Sequence, residues 1–99
     1  MFKELDPVLH SQLRLAVMSV LISVKEAEFG FLKEKTQSTA GNLSVQLTKL
    51  AEAQYVTVKK SFRNNYPLTT CSITAKGVKA FEAYVSNLQT YITKKKTKD

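Results

Sequence analysis

Three residues near the middle of the chain, Asn42, Val45 and Lys49, have side chains suited to the edges of base pairs. They fall at i, i+3 and i+7, so a helix would place them on one face. An amide can pair with adenine, a branched apolar side chain can meet the thymine methyl group, and a lysine can reach guanine or a phosphate. The spacing is typical of a face that fits a DNA groove, and equally of an ordinary amphipathic surface helix.

Hydroxyl groups surround this face and suit contacts to phosphate, which position a helix without specifying a base sequence. Either of the two hydroxyl residues before the helix can cap it, which leaves its first N–H groups facing a place where a phosphate could sit. Gln46 lies at the edge of the face and is expected to serve packing as well. The hydroxyl candidates are Ser38, Thr39, Ser44 and Thr48.

A second cluster of polar residues follows, at residues 59–66. Its cations are expected to track a phosphate backbone, and one of two adjacent amides at its tip is expected to enter a minor groove. The cations are Lys59, Lys60 and Arg63, and the amides are Asn64 and Asn65.

The distribution of charge agrees with a polyanionic partner. The 99 residues carry a formal net charge of +7, and residues 35–79 hold seven lysines and arginines against one acid, Glu52. Concentrated basic charge is expected of a nucleic-acid binder, because such side chains displace the counterions condensed on phosphates. A solvated basic surface without a partner is the alternative interpretation.

Length and composition predict one small soluble domain. A chain of 99 residues with 43% hydrophobic residues can bury a single modest core. Because no apolar run is long enough for a membrane span and the first residues lack the apolar centre of a signal peptide, we expect a cytoplasmic protein without a membrane partner. The single cysteine, Cys71, cannot form an internal disulfide.

The elements that must position these side chains can be predicted from apolar periodicity. We expect a first helix at residues 8–25 with two apolar stripes, a brief strand at 27–28, and a second helix at 29–35. A turn at 36–39 then leads into a third helix at 39–53, whose apolar stripe is Leu43, Leu47 and Leu50. Two short helices joined by such a turn form a helix-turn-helix.

A hairpin and a long last helix complete the prediction. Alternating β-branched residues predict strands at 55–62 and 68–73, with turn residues at 63–67 between them. Thr74 is a suitable N-cap for a last helix that continues to Ile92. Its spacing of apolar residues predicts a helical seam, in which Phe81 and Val85 pack within the domain.

The distal part of this seam and one stripe of the first helix lack an obvious partner within so small a domain. We therefore expect a homodimer, with an interface formed by Leu13, Val17, Tyr84, Leu88, Tyr91 and Ile92. The same aromatic residues, with Phe2, could enclose a small effector, although no residue type demands one and interface packing is the preferred interpretation. We expect residues 1–93 to form the DNA-binding and dimerisation domain and the lysine-rich residues 94–99 to form a disordered tail.

Three segments together give the chain a family resemblance: LDPVLHSQLRLAVMSVL at 5–21, FGFLKEKTQSTAGNLSVQLTKLAEAQYVTV at 29–58 and PLTTCSITAKG at 67–77. In these segments the chain resembles the small winged helix-turn-helix transcriptional regulators of the MarR-like and ArsR-like groups. The resemblance implies a mostly α fold with a small β-hairpin (α+β), made of a three-helix core, a wing and a long C-terminal helix. It further implies a dimeric regulator that places a recognition helix, residues 39–53, in the major groove and a basic wing, residues 59–66, on the backbone or in the minor groove.

The chain departs from the family pattern at two points. Many relatives have glycine after the recognition helix, where Gln54 stands here. A left-handed backbone at Gln54 would cost roughly 1 kcal/mol, so the turn is either strained or built differently. The wing also lacks the Asp-x-Arg pattern of the larger MarR-like proteins, so their wing contacts do not transfer directly.

Catalysis is poorly supported by the residue types. His10 is the only histidine, and no second histidine or cysteine lies near it to complete a metal site or a nucleophile pair. We therefore expect no enzyme activity, no metal and no cofactor. Cys71 lies at an apolar strand position and is expected to be a buried, inert thiol rather than a redox sensor.

Two other function classes remain open. A winged helix can use the same faces to bind proteins, so a protein-interaction module without sequence-specific DNA binding is the main alternative. RNA binding is less well supported, because the wing strands lack the several exposed aromatic residues of a base-stacking platform.

Overall fold

The structure, a computed structural model, describes residues 1–92. Within this range the chain forms four α-helices and a three-stranded antiparallel sheet. In chain order these are α1 (Gln12–Val24), β1 (Glu26–Glu28), α2 (Phe29–Thr36), α3 (Ala40–Glu52), β2 (Val56–Arg63), β3 (Tyr66–Ile73) and α4 (Ala75–Leu88), followed by a 3₁₀ turn at Gln89–Tyr91.

The sheet has the strand order β1-β3-β2, so β3 lies in the centre. Cys71 of β3 pairs with Ala27 of β1 on one side and with Val58 of β2 on the other. The short strand β1 therefore closes the free edge of the β2–β3 hairpin, and the brief strand predicted at residues 27–28 is confirmed. The mostly α fold with a β-hairpin wing is confirmed as well.

One hydrophobic core holds the helices against the sheet. The three leucines predicted for α3 are all buried, with Leu43 and Leu50 fully inaccessible. They meet side chains from every other major element, because the 3.6-residue period of the helices and the two-residue period of the strands direct one apolar face of each inward. The remaining core residues are Leu9, Val17, Met18, Leu21, Ala27, Leu32, Val56, Cys71 and Tyr84.

The first helix is shorter than the predicted range of residues 8–25, because α1 begins at Gln12. Asp6 folds the preceding residues into a turn: its carboxylate accepts from the Val8 N–H at 2.9 Å, and its carbonyl accepts from the His10 N–H at 2.9 Å. A side chain that bonds to the backbone two residues later competes with helix formation. Leu9, inside this turn, is nevertheless fully buried.

The last helix is also shorter than predicted, because α4 ends at Leu88 and a 3₁₀ turn follows. The N-terminal segment lies along this turn. The Lys3 N–H donates to Thr90 Oγ1 at 3.1 Å, and the Tyr91 hydroxyl donates to the Lys3 carbonyl at 2.8 Å. These contacts between distant parts of the chain replace the regular helical pattern that the apolar spacing alone predicts.

The wing has a tighter turn and longer strands than predicted. Asn64 and Asn65 both have positive φ, 51° and 68°, and they form the entire connection between β2 and β3. Two-residue hairpins favour this left-handed geometry because it matches the twist of the strands, and asparagine tolerates it well. Tyr66 and Pro67, predicted to belong to the turn, are therefore the first residues of β3.

Both predicted helix caps in the second half of the domain are correct. Thr39 caps α3 by accepting from the Asn42 N–H at 3.2 Å, and Thr74 caps α4 by accepting from the Gly77 N–H at 2.9 Å. Between them, Gln54 has a φ of 68°, so the left-handed form of this turn is the one that the chain adopts. The predicted tail at residues 94–99 lies outside the described residues.

Candidate nucleic-acid interface

The exposed face of α3 is a ridge with a groove on each side. Val45 stands on the ridge with 52% of its surface exposed, and Thr48, Lys49 and Glu52 are exposed beside it. The buried leucine stripe points the opposite way and fixes this orientation.

One groove separates the ridge from α1 and from the turn before α3. Asn42 and Gln46 form its α3 wall, and Leu13 and Ser38 lie across from them. Gln46 is half-buried and joins Asn42 to Arg14 through hydrogen bonds at both ends of its amide. The prediction that Gln46 serves both the face and packing agrees with this placement.

The other groove separates the ridge from the wing. Ser44 and Thr48 line it from α3, while Lys60 and Thr69 line it from the hairpin. The structure therefore brings together the helix hydroxyls and one of the wing lysines that were predicted from separate stretches of sequence. Lys59 is exposed on the neighbouring position of β2.

The hydroxyl candidates differ in whether their proton is already donated in a hydrogen bond within the protein. Thr48 donates its hydroxyl to the Ser44 carbonyl at 3.1 Å. Thr36 donates to the Leu32 carbonyl at 2.7 Å, so Ser38 must be the donor in its 2.9 Å contact with Thr36. Both protons are committed within the protein, which leaves Thr48 and Ser38 as acceptors and weakens their predicted role as donors to phosphate.

Two other hydroxyls do not donate their protons in the hydrogen bonds of the described residues. Thr39 acts only as an acceptor in its capping bond, so its proton stays available at the start of α3. Ser44 is exposed on the side of the ridge that faces the wing. The hydroxyl protons that remain available therefore lie at the N-terminal end and on the wing side of α3.

Arg63 is placed differently from the prediction of a free wing cation. Its guanidinium donates two hydrogen bonds of 3.0 Å to the carboxylate of Glu28, and this pairing raises the arginine pKa. Glu28 belongs to β1, which lies beyond β3 from the strand that carries Arg63. The bidentate pair offsets the arginine charge, so the uncompensated cations of the hairpin are Lys59 and Lys60.

Two aromatic side chains at the wing tip were missed by sequence reasoning. Phe62 and Tyr66 are 75% and 74% exposed, and they flank the asparagine turn. Tyr66 was assigned to the turn, so the sequence did not predict that it would join Phe62 on the strands of the hairpin.

Two predicted dimer residues are incorrectly placed. Val17 is fully buried and Tyr84 is 4% exposed, so both belong to the core of the single chain. Tyr84 directs its hydroxyl to His10 Nδ1 at 2.9 Å. Neither side chain has surface left for a second subunit. They lie in the core because the first helix and the last helix pack on each other within one chain.

The remaining interface candidates do not form one surface. Leu13 lies in the groove beside α3, away from the C-terminal turn. Leu88 is half-buried, whereas Tyr91 and Ile92 are 40% and 59% exposed. Tyr91 stacks on Phe2 with ring centroids 4.8 Å apart, so the N-terminal segment is part of this apolar end of the molecule.

Val85 differs from the expectation that it packs within the domain. It is 40% exposed and lines a shallow groove with Ile22 and Phe81. The exposed apolar surface therefore extends from the C-terminal turn along α4.

Cys71 is buried in the central strand, as predicted. Burial raises the pKa of its thiol to about 11, because the thiolate would lose its hydration. In the described part of the chain, no three histidine, cysteine or acidic residues come together in a way that could hold a metal ion. No helix of residues 1–92 is both long enough and apolar enough to cross a membrane.

Comparison with known proteins connects this geometry to a family. The family model described as "Winged helix DNA-binding domain" matches residues 13–92, which include every helix and strand described above except the first residue of α1. The chain belongs to this family. An uncharacterized protein of Methanocaldococcus jannaschii is 37% identical to this chain over 78 residues, which are 79% of this chain and 85% of the relative.

Solved structures share the winged helix fold of this chain. A transcriptional regulator homologue from Pyrococcus horikoshii matches with a TM-score of 0.81 at 26% identity, covering 87% of this chain and 85% of its own. A zinc-responsive MarR family member from Lactococcus lactis matches with a TM-score of 0.61 at 11% identity, and the match covers 88% of this chain and 58% of that protein. The predicted resemblance to winged helix regulators is confirmed. So is the expectation that the chain is not an enzyme, because the family consists of DNA-binding domains.

Proposed function

We propose that this winged helix protein is a transcriptional regulator that binds specific sequences of double-stranded DNA as a homodimer. In this proposal α3 enters the major groove and the β2–β3 hairpin follows the adjacent backbone or minor groove. The observation that carries it is the exposed ridge of α3, centred on Val45 and bordered on its wing side by Ser44 and Lys60. The similarity to the structure of a transcriptional regulator homologue from Pyrococcus horikoshii supports it.

Base contacts are assigned to the ridge and its α1 side. Val45 would meet a thymine methyl group, Asn42 would bond to a base edge, and Lys49 would reach guanine or a phosphate. Thr39 and Ser44 would hold the backbone at the N-terminal end of α3, and the wing lysines would hold it farther along. Asn64 and Asn65 at the wing tip would lie in or beside the minor groove.

The dimer is assigned to the exposed apolar surface of α4, the C-terminal turn and the first residues of the chain. Tyr91, Ile92, Val85 and the stacked ring of Phe2 provide exposed apolar surface there, and Leu88 lies beneath it. The Ile92→Glu variant is a direct test, because the side chain is exposed in the single chain and a charge costs little there. Sedimentation equilibrium should show a dimer for the wild type and a monomer for this variant. A wild-type monomer at all concentrations would contradict the dimer.

The salt dependence of binding tests the DNA contacts. The logarithm of the association constant should fall linearly with the logarithm of salt concentration, with a slope of about −0.9 for each phosphate neutralised. The double variant Lys59→Ala with Lys60→Ala should make this slope shallower by the amount that corresponds to about two neutralised phosphates. The matched control, Lys3→Ala with Lys79→Ala, removes equal charge outside α3 and the hairpin and should keep the wild-type slope.

Two outcomes would contradict the proposal. Equal slopes for the two double variants would show that the wing lysines do not contact the DNA backbone. Failure of the wild type to bind any duplex below micromolar concentration at low salt would favour a protein-interaction module instead.

A further inference from the structure

A relay of side-chain hydrogen bonds connects α1 to the first turn of α3. Arg14 Nη1 donates to Gln46 Oε1 at 2.5 Å, and Gln46 Nε2 donates to Asn42 Oδ1 at 3.0 Å. At its other end, Arg14 Nε donates to the Val8 carbonyl at 2.6 Å. The guanidinium is therefore held at two points, and the three side chains form what we call the Asn42 relay: Arg14, Gln46 and Asn42.

The chemistry of the guanidinium fixes the direction of every bond in the relay. Arginine has N–H donors and no acceptor, so the atom of Gln46 that faces it must be the carbonyl oxygen. The amide nitrogen of Gln46 then points to Asn42, and the atom of Asn42 that meets it must also be an oxygen. Consequently the NH₂ group of Asn42 is directed away from the relay, on an exposed residue of the first helical turn.

This direction changes which base Asn42 can recognise. Bidentate pairing with adenine needs the asparagine oxygen to accept from the N6 amine while the NH₂ group donates to N7. Because the Asn42 oxygen faces Gln46 and accepts from its amide, the group that Asn42 directs outward is the NH₂ donor. Guanine presents two neighbouring acceptors, N7 and O6, on its major-groove edge and suits such a donor.

We propose that Arg14 determines base specificity through the relay: it holds Asn42 with its NH₂ group outward, so that the protein prefers guanine at the position that Asn42 meets. This inference rests on the proposed placement of α3 in the major groove. Arg14 is a positioning residue here, since it acts on the base through Gln46 and Asn42. The sequence gives no signal for it, because Arg14 and Gln46 lie 32 positions apart and only the packing of α1 on α3 joins them.

The Gln46→Glu variant tests the direction of the relay with almost no change in shape. A carboxylate still accepts from Arg14 but cannot donate to Asn42. Asn42 must then turn its NH₂ group toward position 46 and its oxygen outward. In duplexes selected from a random pool, the wild type should enrich guanine at one position by about tenfold over the other bases. At the same position Gln46→Glu should enrich adenine or cytosine, the bases with an exposed amine, by about tenfold.

Three further variants separate specificity from folding. Arg14→Met removes the donor that sets the direction and should reduce the preference at that position by about tenfold, with the other positions unchanged. Arg14→Lys keeps a donor-only group and should retain guanine. Asn42→Ala should lose the preference at the same position and at no other, which identifies the base that the relay controls. A purely structural role of Arg14 would weaken all positions alike.

The amide protons provide an independent readout. In the free wild-type protein, NMR hydrogen exchange should show slower exchange for the Gln46 side-chain NH₂ than for that of Asn42. In Gln46→Glu the Asn42 NH₂ should become the protected group. Faster exchange of the Gln46 NH₂ than of the Asn42 NH₂ in the wild type would overturn the relay.

The binding results distinguish failure of this inference from failure of the proposed function. If wild type, Gln46→Glu and Arg14→Met all retain duplexes with one unchanged base preference, the relay has no role in specificity and the proposed function stands. If none of the proteins retains any duplex, the proposed function is wrong and the specificity role of Arg14 is wrong with it.

Discussion

Gln54 holds a left-handed backbone conformation at the junction of α3 and β2, with a φ of 68°. Neighbouring groups fix it there: its N–H donates to the Ala51 carbonyl at 2.9 Å, and its own carbonyl accepts from Thr74 Oγ1 at 2.7 Å. The side chain gains a 3.3 Å contact from Lys76 Nζ, which is exposed and therefore weak. The strain at this residue is offset by the contacts of its backbone.

Replacing Gln54 by glycine should stabilise the protein. Glycine adopts positive φ without the steric cost of a Cβ, so Gln54→Gly should raise the free energy of unfolding by about 1 kcal/mol. Urea denaturation measures this change. Gln54→Ala is the matched control, because it removes the same contact with Lys76 but retains the Cβ. A glycine variant no more stable than the alanine variant would show that the turn carries no strain.

The Tyr55 hydroxyl predicts a dependence of stability on alkaline pH. It donates to Asp6 Oδ2 at 2.5 Å, and burial followed by this hydrogen bond raises the tyrosine pKa from 10.0 to about 12. Because the folded state holds the proton more tightly than the unfolded state, this contribution is fully present below pH 10 and is lost as pH rises toward 12.

The Tyr55→Phe variant isolates that contribution. Between pH 9 and pH 12 the wild type should lose more free energy of unfolding than the variant, since other titrating groups are common to both. Chemical denaturation at a series of pH values measures the difference. Parallel curves for the two proteins would mean that the hydroxyl titrates alike in the folded and unfolded states.

At the residue scale, local features were predictable and distant pairings were not. The leucine stripe of α3 and the caps Thr39 and Thr74 depend on neighbours within a few positions, so spacing and residue type sufficed. The pairing of Arg63 with Glu28 and the contact of Arg14 with Gln46 join residues 35 and 32 positions apart. Their geometry depends on the path of the whole chain, which periodicity does not specify.

Among the elements, α4 is tied to the end of α3 by a close approach at Gly77. A Cβ at this residue would lie 2.2 Å from the Tyr55 carbonyl oxygen and 3.1 Å from the Ile73 side chain. The nearest atom belongs to the backbone, so it cannot move aside without displacing the start of β2. Only glycine fits where α4 crosses this point.

Gly77→Ala should therefore lower the free energy of unfolding by about 1–3 kcal/mol. The added methyl group can be accommodated only if α4 shifts. The free energy of unfolding from urea titration measures the loss. The control is Gly30→Ala on α2, where nothing lies within 4 Å of the added methyl group and helix propensity favours alanine. Equal stabilities of the two variants would contradict the tight packing between α4 and Tyr55.

The existence and order of the elements were predictable, whereas several boundaries were not. Each boundary that moved did so because a side chain or a distant segment competes with the regular pattern. Asp6 forms the turn that delays α1, and the Lys3 backbone engages Thr90 and Tyr91 where α4 was predicted to continue. The hairpin turn shortened because two asparagines accept positive φ in succession.

Across the whole molecule, two exposed surfaces differ in character. One surface is formed by the α3 ridge and the basic hairpin, and the other is formed by the exposed apolar residues of the C-terminal turn, α4 and the first residues of the chain. In the proposed function the first surface binds DNA and the second joins two copies. A dimer with twofold symmetry would then present its two α3 helices to half-sites of an operator with matching symmetry.

Selection of bound duplexes from a random pool, followed by sequencing, tests sequence-specific recognition most directly. If the protein binds DNA as proposed, one pseudo-palindrome should be enriched, with half-sites about 10 base pairs apart, one helical turn of DNA. The Val45→Asp variant, exposed on the ridge and therefore expected to fold, should fail to enrich it. Recovery of unrelated sequences without a dyad, equally by the wild type and by Val45→Asp, would contradict sequence-specific recognition by a dimer.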